Sequence, residues 1–229
     1  VTNEEPLQIL PHQVQELEFL RNHPRVLLLS ETGTGKTITL LSRVQDVLSS
    51  GETVLWVTSK SLQAQLVKEA SKWLPESMQP APFTRAGQDR PFIYLTHRLA
   101  QMRVSDLLKH RSHDLLIVDE AADVGGGGAN PKHKTFQALK RLSMEAQSSV
   151  FATAEPLGSL HALDLWALAD CTGIPQLPNR EVMNAWVAWR ELPTSNSRVA
   201  YTPSGISNDG FNILLSKIRP NQIRTQIDD

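Results

Sequence analysis

The chain has 229 residues, 40% of them hydrophobic and 21% charged, with a formal net charge of −1. That is room for one large α/β domain or two small ones with a sizeable core, and it excludes a global basic field, so any nucleic-acid surface has to be a local patch. The single cysteine, Cys171, excludes an internal disulfide and a cysteine-based zinc site and fits a reducing compartment; no apolar run has the length of a membrane span, and no secretory signal opens the chain, whose first residue, Val1, reads as a trimmed start.

In chain order, Ile9-Leu10-Pro11-His12-Gln13 opens a helix running through VQELEFLRN. Pro11 suits the first helical position, and Val14, Leu17 and Leu20 recur at core spacing. Gln13 carries an amide that donates and accepts at once. It is able to read an adenine edge, against the plainer reading of a solvated glutamine at a helix start. His23-Pro24 ends this helix.

Val26 to Thr37, VLLLSETGTGKT, is the most informative stretch. Four apolar residues read as a buried strand, Ser30 to Gly35 as a turn, and ITLLSRVQDVLSS as a helix. Gly33, Thr34 and Gly35 form a loop whose backbone N–H groups can curl around phosphate oxygens, assisted by the positive end of the following helix. Lys36 supplies a mobile charge for β- and γ-phosphates, and Thr37 a hydroxyl ligand for Mg²⁺. Ser30 stands at the first position of the G-x-x-x-x-G-K-[ST] pattern and is small enough to fit. These residues imply binding of a nucleoside triphosphate, ATP.

Further along, Thr53–Thr58 reads as a second strand. A helix follows with Leu62, Leu66, Val67, Ala70 and Leu74 near one face. Pro75–Arg90 reads as a loop. Phe92–Thr96 reads as a strand, and His97 to His110 as a helix. Leu115–Val118 is a strand running into Asp119-Glu120. Gly125–Gly128 reads as a loop, Lys134–Met144 as a helix and Ser149–Thr153 as a fifth strand, with helices near 158–169 and 181–190. Alternating strands and helices predict an α/β fold, a mostly parallel sheet with helices on both faces. Two acids at a strand's carboxyl end stand where such sheets bind ligands. Asp119 is placed to hold Mg²⁺, and Glu120 to polarise the attacking water. Lys36, Asp119 and Glu120 are therefore the catalytic candidates, and the pair of motifs implies hydrolysis as well as binding.

The order LPHQ, SETGTGKT, VTSKSLQAQLVKEASKWLP, FIYLTHRL, LLIVDEAA, NPKHKTFQALKRL, SVFATAEPLGSLHALDLWAL resembles the first RecA-like lobe of the Swi/Snf-related ATPases in helicase superfamily two. The resemblance covers nearly the whole chain. It implies a single lobe over residues 1–229, with an adenine-motif helix in 1–24 and an exit segment from about 200 towards a missing second RecA-like lobe. It also implies ATP-driven translocation on double-stranded DNA that remodels or displaces DNA-bound proteins; strand separation is not implied. By this likeness Gln13 matches the adenine-reading glutamine. Ser59, Lys60 and Ser61 match one backbone-contacting motif on DNA, Thr96 and His97 match the next, and Thr153 matches a coupling position. Arg98 and Lys132 are further candidates of the same kind. Hydroxyl and amide donors of this sort position a duplex without reading its sequence. Apart from the likeness, the preferred reading of each is a capping or solvated loop residue.

The chain departs from the family pattern at Ala122, where a polar residue is usual, and at Ala154-Glu155, where the expected motif reads Thr-Gly-Thr-Pro. The Gly125–Gly128 run looks like an insertion. All three fall at the link between hydrolysis and DNA binding. The divergence suggests a bacterial or phage member, acting at the nucleoid or in a phage-infected cell, not in a nucleus. Because the family's second lobe supplies the arginines of the transition state, weak binding and little turnover are expected of this lobe alone. The alternatives are an RNA helicase of the same superfamily and a nucleotide-dependent, non-enzymatic scaffold. Trp56, Trp73, Trp166, Trp186 and Trp189 are expected in the core, and the seven histidines show no metal-ligand spacing.

Overall fold

A computed structural model describes residues 9–84, 89–110, 113–122, 133–154, 162–192 and 200–225. The first half alternates as the sequence pattern predicts: α1 (Pro11–Asn22), β1 (Arg25–Ser30), α2 (Lys36–Ser49), β2 (Val54–Thr58) and α3 (Gln63–Trp73). After them come β3 (Ala81–Pro82), β4 (Phe92–Thr96), α4 (His97–His110) and β5 (Leu115–Val118). The remainder is α5 (Lys134–Glu145), β6 (Ser148–Thr153), α6 (Ala162–Thr172), α7 (Arg180–Trp186), β7 (Val187–Leu192), β8 (Ala200–Ile206), α8 (Asn208–Ile218) and β9 (Gln222–Thr225).

Seven strands form one sheet in the order β3-β4-β2-β5-β6-β1-β9, and every neighbouring pair is parallel. The strands read as unbroken apolar runs because both faces are covered. Alternate residues divide between two cores. Val26, Leu28, Val54, Trp56, Leu115 and Ile117 meet Leu20 of α1, Leu40, Leu41 and Val44 of α2, and Leu66 and Ala70 of α3. Leu27, Leu29, Leu55, Val57, Leu116 and Val118 meet Ala100 and Leu107 of α4, Phe136 and Leu139 of α5, and helices α6 and α8. The α/β fold with helices on both faces is thus as the pattern required.

Four local expectations are corrected. The segment expected to stay helical to Arg190 turns at Val187 into β7, which pairs antiparallel with β8 as a separate two-stranded sheet. Val187 and Trp189 suit a strand better than a helix interior, and a cross-strand partner was present to take them. The Pro75–Arg90 loop contains a short helical turn, Glu76–Met78, and strand β3, whose Ala81 and Pro82 pair with Ile93 and Tyr94. Val14 is 43% exposed, whereas Gln13, Glu16, Leu17 and Leu20 make the buried stripe of α1. Val67 is likewise exposed on α3, where Leu66 and Ala70 carry the contact. Trp56 and Trp166 are buried as expected, and Trp73 packs at the edge of its core; the side chains of Trp186 and Trp189, like the Gly125–Gly128 run, lie outside the described residues.

Leu28 is fully buried at the centre of β1, packed against the helix that follows the phosphate loop. Leu28→Ala should lower stability by about 3 kcal/mol. A urea titration should show this as a lower midpoint with an unchanged slope.

Candidate functional site

Strand β1 delivers the chain to Ser30, and the turn from Glu31 to Gly35 reverses it into α2. Gly33 and Gly35 have φ of 85° and 80°, the left-handed region that side chains resist. At Gly35 a second constraint operates, since a Cβ there would collide with Gln13 Nε2. Gly35 caps α2, and its carbonyl accepts from Ile38 N at 2.9 Å. The first N–H groups of α2 therefore point at the loop's hollow, with the helix dipole behind them. The Lys36 ammonium folds over the loop and donates to the carbonyls of Ser30 (2.7 Å) and Glu31 (3.3 Å). Burial lowers its pKa, and the carboxylates of Asp119, Glu120 and Glu16 act in the opposite direction.

Helix α1 grips this loop from beside and below. Thr34 O accepts from His12 Nε2 (2.9 Å) and from Gln13 Nε2 (3.2 Å), while Gln13 Oε1 accepts from Leu10 N (2.9 Å). Gln13 is 2% exposed, so it is not the solvated helix-start residue of the plainer reading. Glu16, fully buried, accepts from Ser30 Oγ and Thr39 Oγ1, each at 2.9 Å.

Strand β5 ends at Val118, and the acid pair follows at once. Asp119 N donates to Val57 O at 2.8 Å, pinning the strand end to β2. Glu120 has φ of 53°, a left-handed conformation costly for a residue with a side chain, and its N–H donates to Asp119 Oδ1 at 3.1 Å. The Asp119 carboxyl is pushed up to about 6, first by burial and then by the charge of Glu120, against the pull of the Glu120 N–H and Lys36.

A cleft of about 380 Å³ joins these parts. It is lined by Thr32, Gly33, Gly35, Lys36 and Thr37 of the loop, Asp119 and Glu120, Ala154 after β6, and Trp56, Leu62, Gln65 and Leu66. Its chemistry is split: amides, hydroxyl and ammonium on one wall, two carboxylates on another, an apolar wall on the third. That donor set fits a polyphosphate with a hard divalent cation between phosphate and carboxylate. Among the described residues no group of three or more His, Cys, Asp or Glu could hold a metal unaided. Mg²⁺ needs none, because it commonly takes one or two protein oxygens plus phosphate and water.

The other sequence candidates fall at neighbouring strand ends. Thr58 of β2 lies opposite Thr96 of β4, so Ser59–Ser61 and Thr96-His97 emerge side by side. Ser59 and Ser61 share a hydrogen bond between their hydroxyls (2.9 Å), and Lys60 is exposed. Thr96 Oγ1 accepts from Leu99 N (3.1 Å) and so caps α4; Arg98 is exposed. His97 Nε2 donates to the Asp119 carbonyl at 3.0 Å, a direct tie to the acid pair. Thr153, 1% exposed, ends β6 between β1 and β5. Lys132 and Glu155 lie outside the described residues.

Sequence reasoning missed His12, Glu16 and the apolar wall. A signal for Glu16 existed: Gln13, Glu16, Leu17 and Leu20 follow helical spacing, so two polar residues sit in an apolar stripe. Trp56 was assigned to packing alone. It is buried, yet it lines the cleft, and its indole N–H has no hydrogen-bond partner among the described residues.

Residues 6–147 match the family model for the type III restriction enzyme, res subunit. No curated protein matches the sequence. Among solved structures, the chain is similar to the Sulfolobus solfataricus SWI2/SNF2 ATPase core in complex with double-stranded DNA. The TM-score is 0.75 at 19% identity, covering 98% of this chain and 47% of that one. It is also similar to the UvsW helicase from bacteriophage T4, with a TM-score of 0.58 at 11% identity, covering 73% of this chain and 60% of that one. The chain thus spans about half the length of the first of these, and its fold is the RecA-like α/β fold.

The raised Asp119 carboxyl carries a stability consequence of definite sign. Between the ordinary carboxylate range near 4 and about 6, the folded protein binds a proton that the unfolded chain releases. Stability therefore falls as pH rises through that window, and the loss persists at pH 7. Asp119→Asn, which mimics the protonated form, should be more stable than the parent at pH 7 by roughly 1–3 kcal/mol. The two should converge at about pH 4. Denaturant midpoints at the two pH values decide it; an Asn variant less stable at pH 7 would contradict the assignment.

Proposed function

The chain belongs to the type III restriction enzyme, res subunit, family, and from that premise we propose that it is the ATP-binding lobe of an ATP-driven double-stranded DNA translocase that remodels or displaces DNA-bound proteins. The observation that carries this reading is the meeting of Lys36, Thr37, Asp119 and Glu120 in one cleft, with Gln13 of α1 bonded to the phosphate loop at Thr34 O.

In this reading the loop amides and Lys36 take the β- and γ-phosphates, exchanging the neutral carbonyls of Ser30 and Glu31 for charged oxygens. Thr37 and Asp119 would hold Mg²⁺, which when bound offsets phosphate charge. Glu120 orients the attacking water and accepts its proton as the water oxygen bonds the γ-phosphorus and the bond to the bridging oxygen breaks, releasing ADP. Gln13 keeps amide capacity for an adenine edge, since each of its two hydrogen bonds leaves one donor hydrogen and one lone pair.

Support for DNA coupling comes from His97. A phosphate-contacting segment, Thr96-His97, that is bonded to the Asp119 carbonyl would feel a change at the acid pair without any intervening element. Duplex DNA is favoured over RNA by the Ser61–Pro75 stretch of the Swi/Snf-like pattern, which borders the cleft through Leu62, just before α3, and through Gln65 and Leu66 on it. A second RecA-like lobe, reached through the 200–229 segment, would complete the phosphate cage. The departures at Ala122 and Ala154 leave the phosphate and acid residues untouched, which argues against a decayed scaffold.

The test is the ATPase rate of the full-length protein with no polymer, duplex DNA, single-stranded DNA or RNA, with Lys36→Ala as the blank. Duplex DNA should stimulate turnover about tenfold or more over the other arms, and the Lys36 variant should lose it. Stimulation chiefly by RNA would transfer the protein to the RNA helicases. A rate indifferent to Lys36 would remove the enzyme reading altogether.

A further inference from the structure

Glu16 is the one carboxylate in the described core that is fully buried, and nothing in nucleotide hydrolysis as set out above uses it. Its two oxygens divide their attention. Oε1 accepts from Ser30, the residue from which the phosphate loop springs; Oε2 accepts from Thr39, in the first turn of the helix into which the loop runs. Ser30 is also the residue whose carbonyl holds Lys36 Nζ. One carboxylate on α1 thus fixes both ends of the loop, while His12 and Gln13, on the preceding turn, fix its middle at Thr34 O.

The electrostatic setting makes this placement informative. A negative charge beneath an anion-binding loop repels the anion, and burial strengthens that repulsion. If charge were all that mattered, the site would bind phosphate better without Glu16. Retaining a carboxylate there makes sense as geometry: a carboxylate accepts from both hydroxyls at once, which neither an amide nor an apolar side chain does without turning a hydroxyl round.

We propose that Glu16 is a positioning residue for phosphate binding, bracing both ends of the phosphate loop from α1 so that its amides are aimed before any ligand arrives. This rests on the reading of the cleft as a nucleotide site. The serine at the first loop position then has a stated use, since glycine there would leave Oε1 without that donor.

The experiment is calorimetric binding of Mg²⁺-tripolyphosphate and Mg²⁺-ADP to the full chain and to Glu16→Gln and Thr39→Val, with circular dichroism and an unfolding midpoint for each. Thr39→Val removes one donor while leaving the charge, and carries the test if Glu16→Gln does not fold. Bracing predicts that both variants bind both ligands about tenfold more weakly, with the far-ultraviolet spectrum unchanged. Tighter binding by Glu16→Gln would show that the charge acts only by repulsion, and equal binding that the contact serves folding alone; either overturns the proposal. A loss confined to ADP would place the effect at the base and overturn it too. If the parent chain binds neither ligand, the nucleotide reading itself falls, an outcome distinct from a parent that binds and variants that match it.

Discussion

The site depends on the register of three adjacent parallel strands. Leu29 of β1 lies opposite Thr153 of β6, and Val118 of β5 lies opposite Phe151 of the same strand. Because β6 stands between them, the phosphate loop leaving β1 and the acid pair leaving β5 come out at the same end of the sheet, separated by one strand. A slip of one residue in either pairing would send Leu28 and its companions into the opposite core, which both packed faces forbid. Packing on two sides thus sets a distance that the chemistry needs. No loop does this work.

On that frame, several departures from ordinary local structure fall at the cleft, while Gly51, Gly173 and Gln176 take left-handed conformations elsewhere. Gly33 and Gly35 take left-handed conformations, Glu120 takes one with a side chain attached, and a carboxylate is buried beneath the loop. Left-handed glycines also occur in turns away from the cleft, so the informative cost is the one at Glu120, a residue with a side chain that lines the cleft. The tie from His97 to Asp119 extends the cluster towards the strand ends where the candidate DNA contacts emerge. The family is that of the type III restriction enzyme, res subunit, and the fold is the RecA-like α/β fold.

Much of this was legible in the sequence, for local reasons. The phosphate loop needs strand, glycines, lysine and helix in succession, and all are contiguous. β4 and β5 begin and end where their apolar runs do. What was not legible depended on distant partners. β7 exists because β8 is there to pair with it, and β3 and β9 are short edge strands whose parallel neighbours complete them. Val14 is apolar yet exposed, while Glu16, on the buried face of the same helix, is charged, so polarity alone misplaces both. The hydroxyls that satisfy Glu16 lie on β1 and α2, beyond the reach of any periodicity within α1.

Everything proposed for the cleft requires residues 33–37 to form a phosphate-binding loop working with Asp119 and Glu120. Amide hydrogen exchange on the full chain, with and without Mg²⁺-ADP, addresses it most directly. Mg²⁺-ADP should slow exchange at the amides of Gly33 to Thr37 and the Asp119-Glu120 turn, and adenosine, which lacks phosphates, should not slow it there. No slowing at these amides at saturating nucleotide would contradict that assignment.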